Sequence, residues 1–218
     1  MKNLGAYYVG YIVPASTLLP LGAGIFYYKQ INKPLRTLLI YLAAAFVINV
    51  IGSILANNSI NNLPLLHVYT IVEVVTIMFY FKQAFESDKA IKWINIIMLA
   101  FPLLCIVNFS FFQSVYEYNT YTRPLGALIV IVASILYLAV QSDFKRQDLV
   151  TTSGRLVAAG FLIYFCSSLF QFIFSNVVRH NVEKRVVLMI WNLHATLVLI
   201  MYLIFLAAIL NDRGKRQR

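Results

Sequence analysis

Apolar positions in this chain neither alternate as in a half-buried strand nor trace a single helical stripe. They run together. Seven runs occupy residues 6–28, 35–56, 63–85, 91–112, 123–141, 155–176 and 186–210. A helix rises about 1.5 Å per residue, so about 20 apolar residues cross a hydrocarbon core of about 30 Å. The polar connections are short: KQINKP, NNSINN, ESDKA, SVYEYNTYT, SDFKRQDLVTTSG and NVVRHNVEKR. None is long enough for a soluble domain. The pattern predicts an all-α polytopic membrane protein, one integral domain over residues 1–218 with seven transmembrane helices. The first run is too long for a signal peptide and lacks an A-x-A cleavage site, so it reads as a retained helix. Pro14, Pro20 and Pro102 predict kinks inside helices, since proline removes a backbone donor. Gly22, Gly24 and Gly126 predict close helix contacts.

Composition agrees. The chain is 61% hydrophobic and 12% charged, against about 25% charged in a soluble domain. The net charge of +10 adds an orientation. With the N-terminus outside, the inner connections hold Lys29, Lys33, Arg36, Lys82, Lys89, Lys92, Lys145, Arg146, Arg155, Arg213, Lys215, Arg216 and Arg218. The outer connections hold only Lys2, Arg123, Arg179, Lys184 and Arg185. Thirteen cations against five place the N-terminus out and the C-terminus in, as in a bacterial inner membrane. The basic inner face is a place for a protein partner and for anionic headgroups. No basic cluster is interleaved with stacking aromatics, so nucleic acid is not an expected partner. Cys105 and Cys166 lie inside apolar runs and read as buried thiols.

Polar residues inside the spans carry the functional expectation. Helix three enters from outside at about Leu63, which puts His67 roughly 6 Å and Glu73 roughly 15 Å deep. His194 lies roughly 12 Å down helix seven, with Asn192 slightly shallower. Asn49, Asn108, Gln171 and the pair Ser167–Ser168 also fall in the outer half, whereas Asn95 is the main polar group of the inner half. This one-sidedness predicts a polar cavity open to the outside. A carboxylate at the midplane costs several kcal/mol unless paired. Tyr69 and Thr70 lie one turn before Glu73, and His194 is the first candidate partner from another helix. His67 and Glu73 are about 120° apart around their helix and about 9 Å apart along it, so they do not share a face, and a common metal site would need a cavity that wraps round the helix. Bland alternatives remain for each group: a neutral histidine satisfied by a neighbouring helix, or Asn and Gln side chains gluing helices together.

Seven helices with the N-terminus out resemble, in topology alone, microbial rhodopsins and G-protein-coupled receptors. Helix seven, VVLMIWNLHATLVLIMYLIFLAAIL, has no lysine for a retinal Schiff base, and DRY-type and NPxxY motifs are absent. The HxxxH pair of adiponectin-receptor and ceramidase-like zinc hydrolases is absent too. The segments HVYTIVE and WNLH are similar to small bacterial seven-helix proteins, some of which resemble the membrane sensor halves of histidine kinases. That resemblance implies a role in small-ligand sensing or as a membrane scaffold.

The expectation is therefore a receptor-like or sensory module for a small molecule or lipid. Glu73 and His194 would contact the ligand, His67, Asn108 and Gln171 would shape the mouth, and Tyr69 and Asn192 complete the expected binding set. The alternatives are an intramembrane enzyme at the outer leaflet (Glu73 as base, His194 as its partner, Ser167 or Ser168 as nucleophile), a proton-coupled carrier, haem held by His67 and His194, a zinc site, or a structural subunit. No cofactor is assigned.

Overall fold

A computed structural model describes residues 5, 7–140, 152–181 and 183–216, without the side chains of 140, 170, 174–181, 184 and 214–216. Lys2, Lys145, Arg146 and Arg218, which contribute to the charge bias, lie outside the described residues. Among the described residues the structure is helical, with no strand. Seven helices are, by length and composition, long and apolar enough to cross a membrane, as a multi-pass membrane protein requires.

The helices are α1 (Tyr8–Phe26), α2 (Lys33–Asn57), α3 (Leu63–Ala84), α4 (Asp88–Phe111), α5 (Thr122–Val140), α6 (Thr152–Asn181) and α7 (Lys184–Arg216). α6 and α7 run beyond the apolar stretches that announced them, and the residue expected in a loop, His180, lies in the helical backbone of α6. Hydropathy detects only the part of a helix that meets lipid. Polar ends stay helical where water or loops can satisfy them.

Sequence punctuation sets the other ends. Asn32 caps α2, its side-chain oxygen accepting from the Leu35 amide at 2.9 Å, with Pro34 in the first turn. α2 closes at Ser59, which adopts φ 58°, while the Ile60 amide reaches back to the Leu55 carbonyl at 2.9 Å. Ser87 begins α4. The two early prolines break α1 into a π-helical turn, Tyr8–Ile12, and two α-helical pieces, Val13–Ser16 and Leu18–Phe26. The Val13 amide bonds the Tyr8 carbonyl, a five-residue step that lengthens the turn just before Pro14. Pro102, in contrast, sits within an α4 that remains one helix.

The bundle closes as a ring in which α6 packs on both α5 and α7, α7 on α1, and α2 on α3. α3 also touches α5 directly, so α4 lies on the outside, with Leu99 70% exposed. Two close approaches explain this order. A Cβ at Gly126 would stand 2.7 Å from Val74, and one at Gly160 would stand 2.8 Å from the Phe205 ring. Gly24 is packed against Leu39 in the same way, whereas Gly22 faces open space.

The two ends of the bundle differ. At the N-terminal end, Asn61 donates to the Tyr116 carbonyl across the 58–62 and 112–121 connections. At the C-terminal end, Asp212 of α7 accepts from the Asn32 amide (2.8 Å), the Asn32 side chain (2.9 Å) and the Ser153 hydroxyl (2.9 Å). Arg213 donates to the Tyr27 hydroxyl. Between these ends, the half nearer the C-terminal end is packed with aromatic rings. Phe161 meets Phe205 at 4.9 Å and Tyr41 at 5.6 Å, and Phe81 lies 6.0 Å from Tyr137.

A polar cavity closed by the Glu73–Arg123 pair

The other half is not filled. A cavity of about 270 Å³ lies among α1, α2, α3, α5, α6 and α7, roofed by Glu117, Tyr118 and Asn119 of the 112–121 connection. Its polar walls are Tyr41, Tyr69, Glu73, Arg123, Tyr164, Gln171, His194 and Tyr202, with Asn49 at the edge.

Glu73 is 3% exposed and its Oε2 stands 3.6 Å from Arg123 Nη1. It is the one ion pair found among the described residues. Arg123 was counted among the outer cations, at the start of the fifth apolar run, and Tyr69, Thr70 or His194 was expected beside Glu73. The structure instead places Arg123 in the first turn of α5 and turns it inward. Several contacts hold it there. Asn119 Oδ1 accepts from the Thr122 amide at 3.0 Å and the Arg123 amide at 3.2 Å, anchoring the start of α5. The guanidinium carbon sits 4.5 Å above the Phe172 ring. Arg123 Nη1 also lies 3.5 Å from Thr70 Oγ1. Thr70 donates to the Leu66 carbonyl at 3.0 Å and so is not the carboxylate's partner. A bare carboxylate at this depth would be unfavourable by several kcal/mol, and the guanidinium offsets that cost. Glu73 and Arg123 both line the cavity, so the pair stands on its wall. Tyr69 is placed to donate to Glu73 and Tyr164 to accept from Arg123.

His194 reaches the cavity from α7. Its Nδ1 lies 3.0 Å from Ser168 Oγ, and its ring is stacked among Tyr164 (5.5 Å), Phe172 (5.9 Å) and Trp191 (6.3 Å). Ser168 is buried behind His194 and is not part of the cavity wall. Ser167 is exposed and donates to the Ile163 carbonyl at 2.7 Å. Neither serine is presented to a molecule in the cavity.

Three expected residues lie away from the cavity. His67 is 1% exposed and its Nε2 is 2.8 Å from the Glu117 carbonyl. A carbonyl only accepts, so Nε2 carries the proton and Nδ1, buried without a partner, is the bare nitrogen. Its ring stands edge-on to Phe109 at 4.8 Å. Asn108 contacts Gln113 at 3.4 Å, and Gln113 in turn donates to the Tyr118 carbonyl and the Thr120 hydroxyl, both at 2.9 Å. These groups shape the roof rather than the cavity. Asn192 lies beside Gly5, and its carbonyl accepts from Thr196 at 2.9 Å. Asn95 is exposed.

The sequence reading missed Arg123, Tyr41, Tyr164 and Tyr202 as cavity groups. The available signal for Arg123 was its place at the start of the fifth apolar run, beside a proline that a first helical turn tolerates. Among the described residues no group of three His, Cys, Asp or Glu side chains could hold a metal ion. His194 lines this cavity and His67 is not among its lining residues. No protein-family model matches the chain, and neither does any curated protein or solved structure.

Proposed function

We propose that this is a seven-helix integral membrane protein, N-terminus outside and C-terminus inside a bacterial inner membrane, that acts as a receptor-like or sensory module. The small molecule it senses enters from the outer leaflet side. It carries a cationic group for Glu73 and an anionic group for Arg123. Movement of α5, α6 or α7 on binding is read by a protein partner at the basic inner face.

The observation that carries this reading is the Glu73–Arg123 ion pair on the wall of a cavity of about 270 Å³. That volume lies at the small end of ligand sites and suits a molecule of amino-acid size. A lone cation would meet repulsion from Arg123 and a lone anion from Glu73. A zwitterion replaces one ion pair with two and leaves no buried charge unpaired. Asymmetry of the lysine and arginine residues supports the orientation.

The test is ligand-induced stabilisation of the purified protein in nanodiscs, using a panel of neutral amino acids, simple amines and simple carboxylates. At least one zwitterion is expected to raise the unfolding temperature. Glu73→Gln is expected to weaken it about 10- to 100-fold, the worth of a charge-assisted hydrogen bond. A Glu73→Gln, His194→Ala double variant that stays folded and binds every compound as the parent does would overturn the reading.

A further inference from the structure

A second site lies at the opposite end of the bundle, on its outer surface. A groove of about 520 Å³ runs between α1, α2 and α3 near the 27–32 connection. Its mouth carries Lys33 and Arg36, and its walls include Ile25, Ile40 and Phe79, which are 63%, 55% and 38% exposed. We infer that this groove binds one anionic phospholipid, the phosphate held by Lys33 and Arg36 and an acyl chain laid along the apolar wall.

Four observations converge on that occupant. Among the described residues neither cation has a carboxylate within 4.0 Å. Asp212, the nearby acid on α7, is already engaged by Asn32 and Ser153. Glu86 and Asp88 line a different groove, against α4 and α5.

Arg36 is held in place rather than free. Its guanidinium carbon stands 4.8 Å over the Tyr28 ring, while its Nε is buried and bonded to nothing. A planar donor stacked on an aromatic ring is pre-organised for phosphate oxygens.

The floor is polar at the same level. Gln83 donates to Thr37 at 2.8 Å and keeps its own carbonyl oxygen buried without a partner. A glycerol hydroxyl of a headgroup meets that need, and so does a water bound along with it. Lys33 and Arg36 also occupy the first turns of the 25-residue α2, where the helix dipole favours an anion.

The apolar wall begins directly beyond these cations. A cationic mouth over an apolar trough matches an amphiphile with its charge at one end. A dissolved phosphate would leave the trough unused, and a zwitterionic headgroup would bring a second cation next to Arg36.

The experiment is native mass spectrometry of the full chain released from nanodiscs of phosphatidylcholine doped with phosphatidylglycerol. The parent is expected to retain one phosphatidylglycerol in preference to phosphatidylcholine. A Lys33→Gln, Arg36→Gln variant is expected to lose that preference by about tenfold or more, since each surface cation contributes separately. Ile40→Trp, which fills the trough and leaves the cations, is expected to lower retention as well. Thermal unfolding of both variants checks that they remain folded. Equal retention of the two lipids by the parent would overturn the inference. So would undiminished phosphatidylglycerol retention in the charge variant or in Ile40→Trp. Displacement of the bound lipid by millimolar inorganic phosphate would assign the cations to a free anion instead.

Discussion

The two halves of this bundle use the same seven helices in opposite ways. Toward the C-terminal end, Phe81, Phe161 and Phe205 are fully buried and meet ring to ring. Toward the N-terminal end, Glu73, Arg123, His194 and five tyrosines surround a space. Tyr41 belongs to both, with its ring against Phe161 and Phe205 and its side chain on the cavity wall. The aromatic core of the packed half holds no charge, and its energy is contact energy. In the other half every ionic group depends on a partner from another helix, so its stability is a property of pairs. An apolar core can be thinned gradually, but a buried charge network fails when one member leaves.

The sharpest way to break the comparison is to remove Arg123. Arg123→Ala is expected to lower stability by about 3–5 kcal/mol, because Glu73 is left buried and uncompensated. Adding Glu73→Leu to an Arg123→Leu background is expected to recover most of that loss. Reversible unfolding in mixed micelles measures both arms of this double-mutant cycle, and additive losses would mean the pair is not coupled. The matching change in the packed half is Phe161→Ala. Lipid is as apolar as this core, so little transfer energy is lost, and the cavity left behind accounts for about 2–3 kcal/mol. No second truncation is expected to rescue it.

Smaller effects probe the boundary. Gly160→Ala pushes a methyl group toward Phe205 and is expected to cost about 1–3 kcal/mol by overpacking at the α6–α7 contact; the same unfolding assay reads it. Ser168→Ala removes the hydroxyl bonded to His194 and is expected to cost about 0.5–1.5 kcal/mol. Its effect on binding is expected to be slight, because the hydroxyl lies behind the imidazole. A large loss of ligand binding in Ser168→Ala, measured by the thermal panel, would show that His194 orientation governs recognition.

Much of the architecture was legible in the chain. Seven apolar runs announced seven helices, since a segment that must satisfy its own backbone in lipid has few alternatives to a helix. Helix ends were less legible. Polar residues such as Asn181 and Arg216 continue α6 and α7, and hydropathy carries no signal for them. Depth counting placed Asn49, Glu73, Gln171 and His194 in one half, and these residues do line one cavity. The same counting could not separate His67 and Asn108, which lie at a suitable depth yet bond Glu117 and Gln113 in the roof.

Arg123 shows most clearly where reading a sequence ends. Next to Tyr121 and Thr122 it looks like one more cation at a membrane boundary. Its role appears only when Asn119 starts the helix and α5 is laid against α3. Runs of apolar residues dictate local structure because each segment must resolve its own hydrogen bonds within itself. Which helix faces which is set by contacts between residues 50 positions apart in the chain, Glu73 and Arg123, and by the close approach that Gly126 allows at Val74. Pairing a buried charge is a long-range requirement, so its answer lies in the packed bundle and not in any one segment.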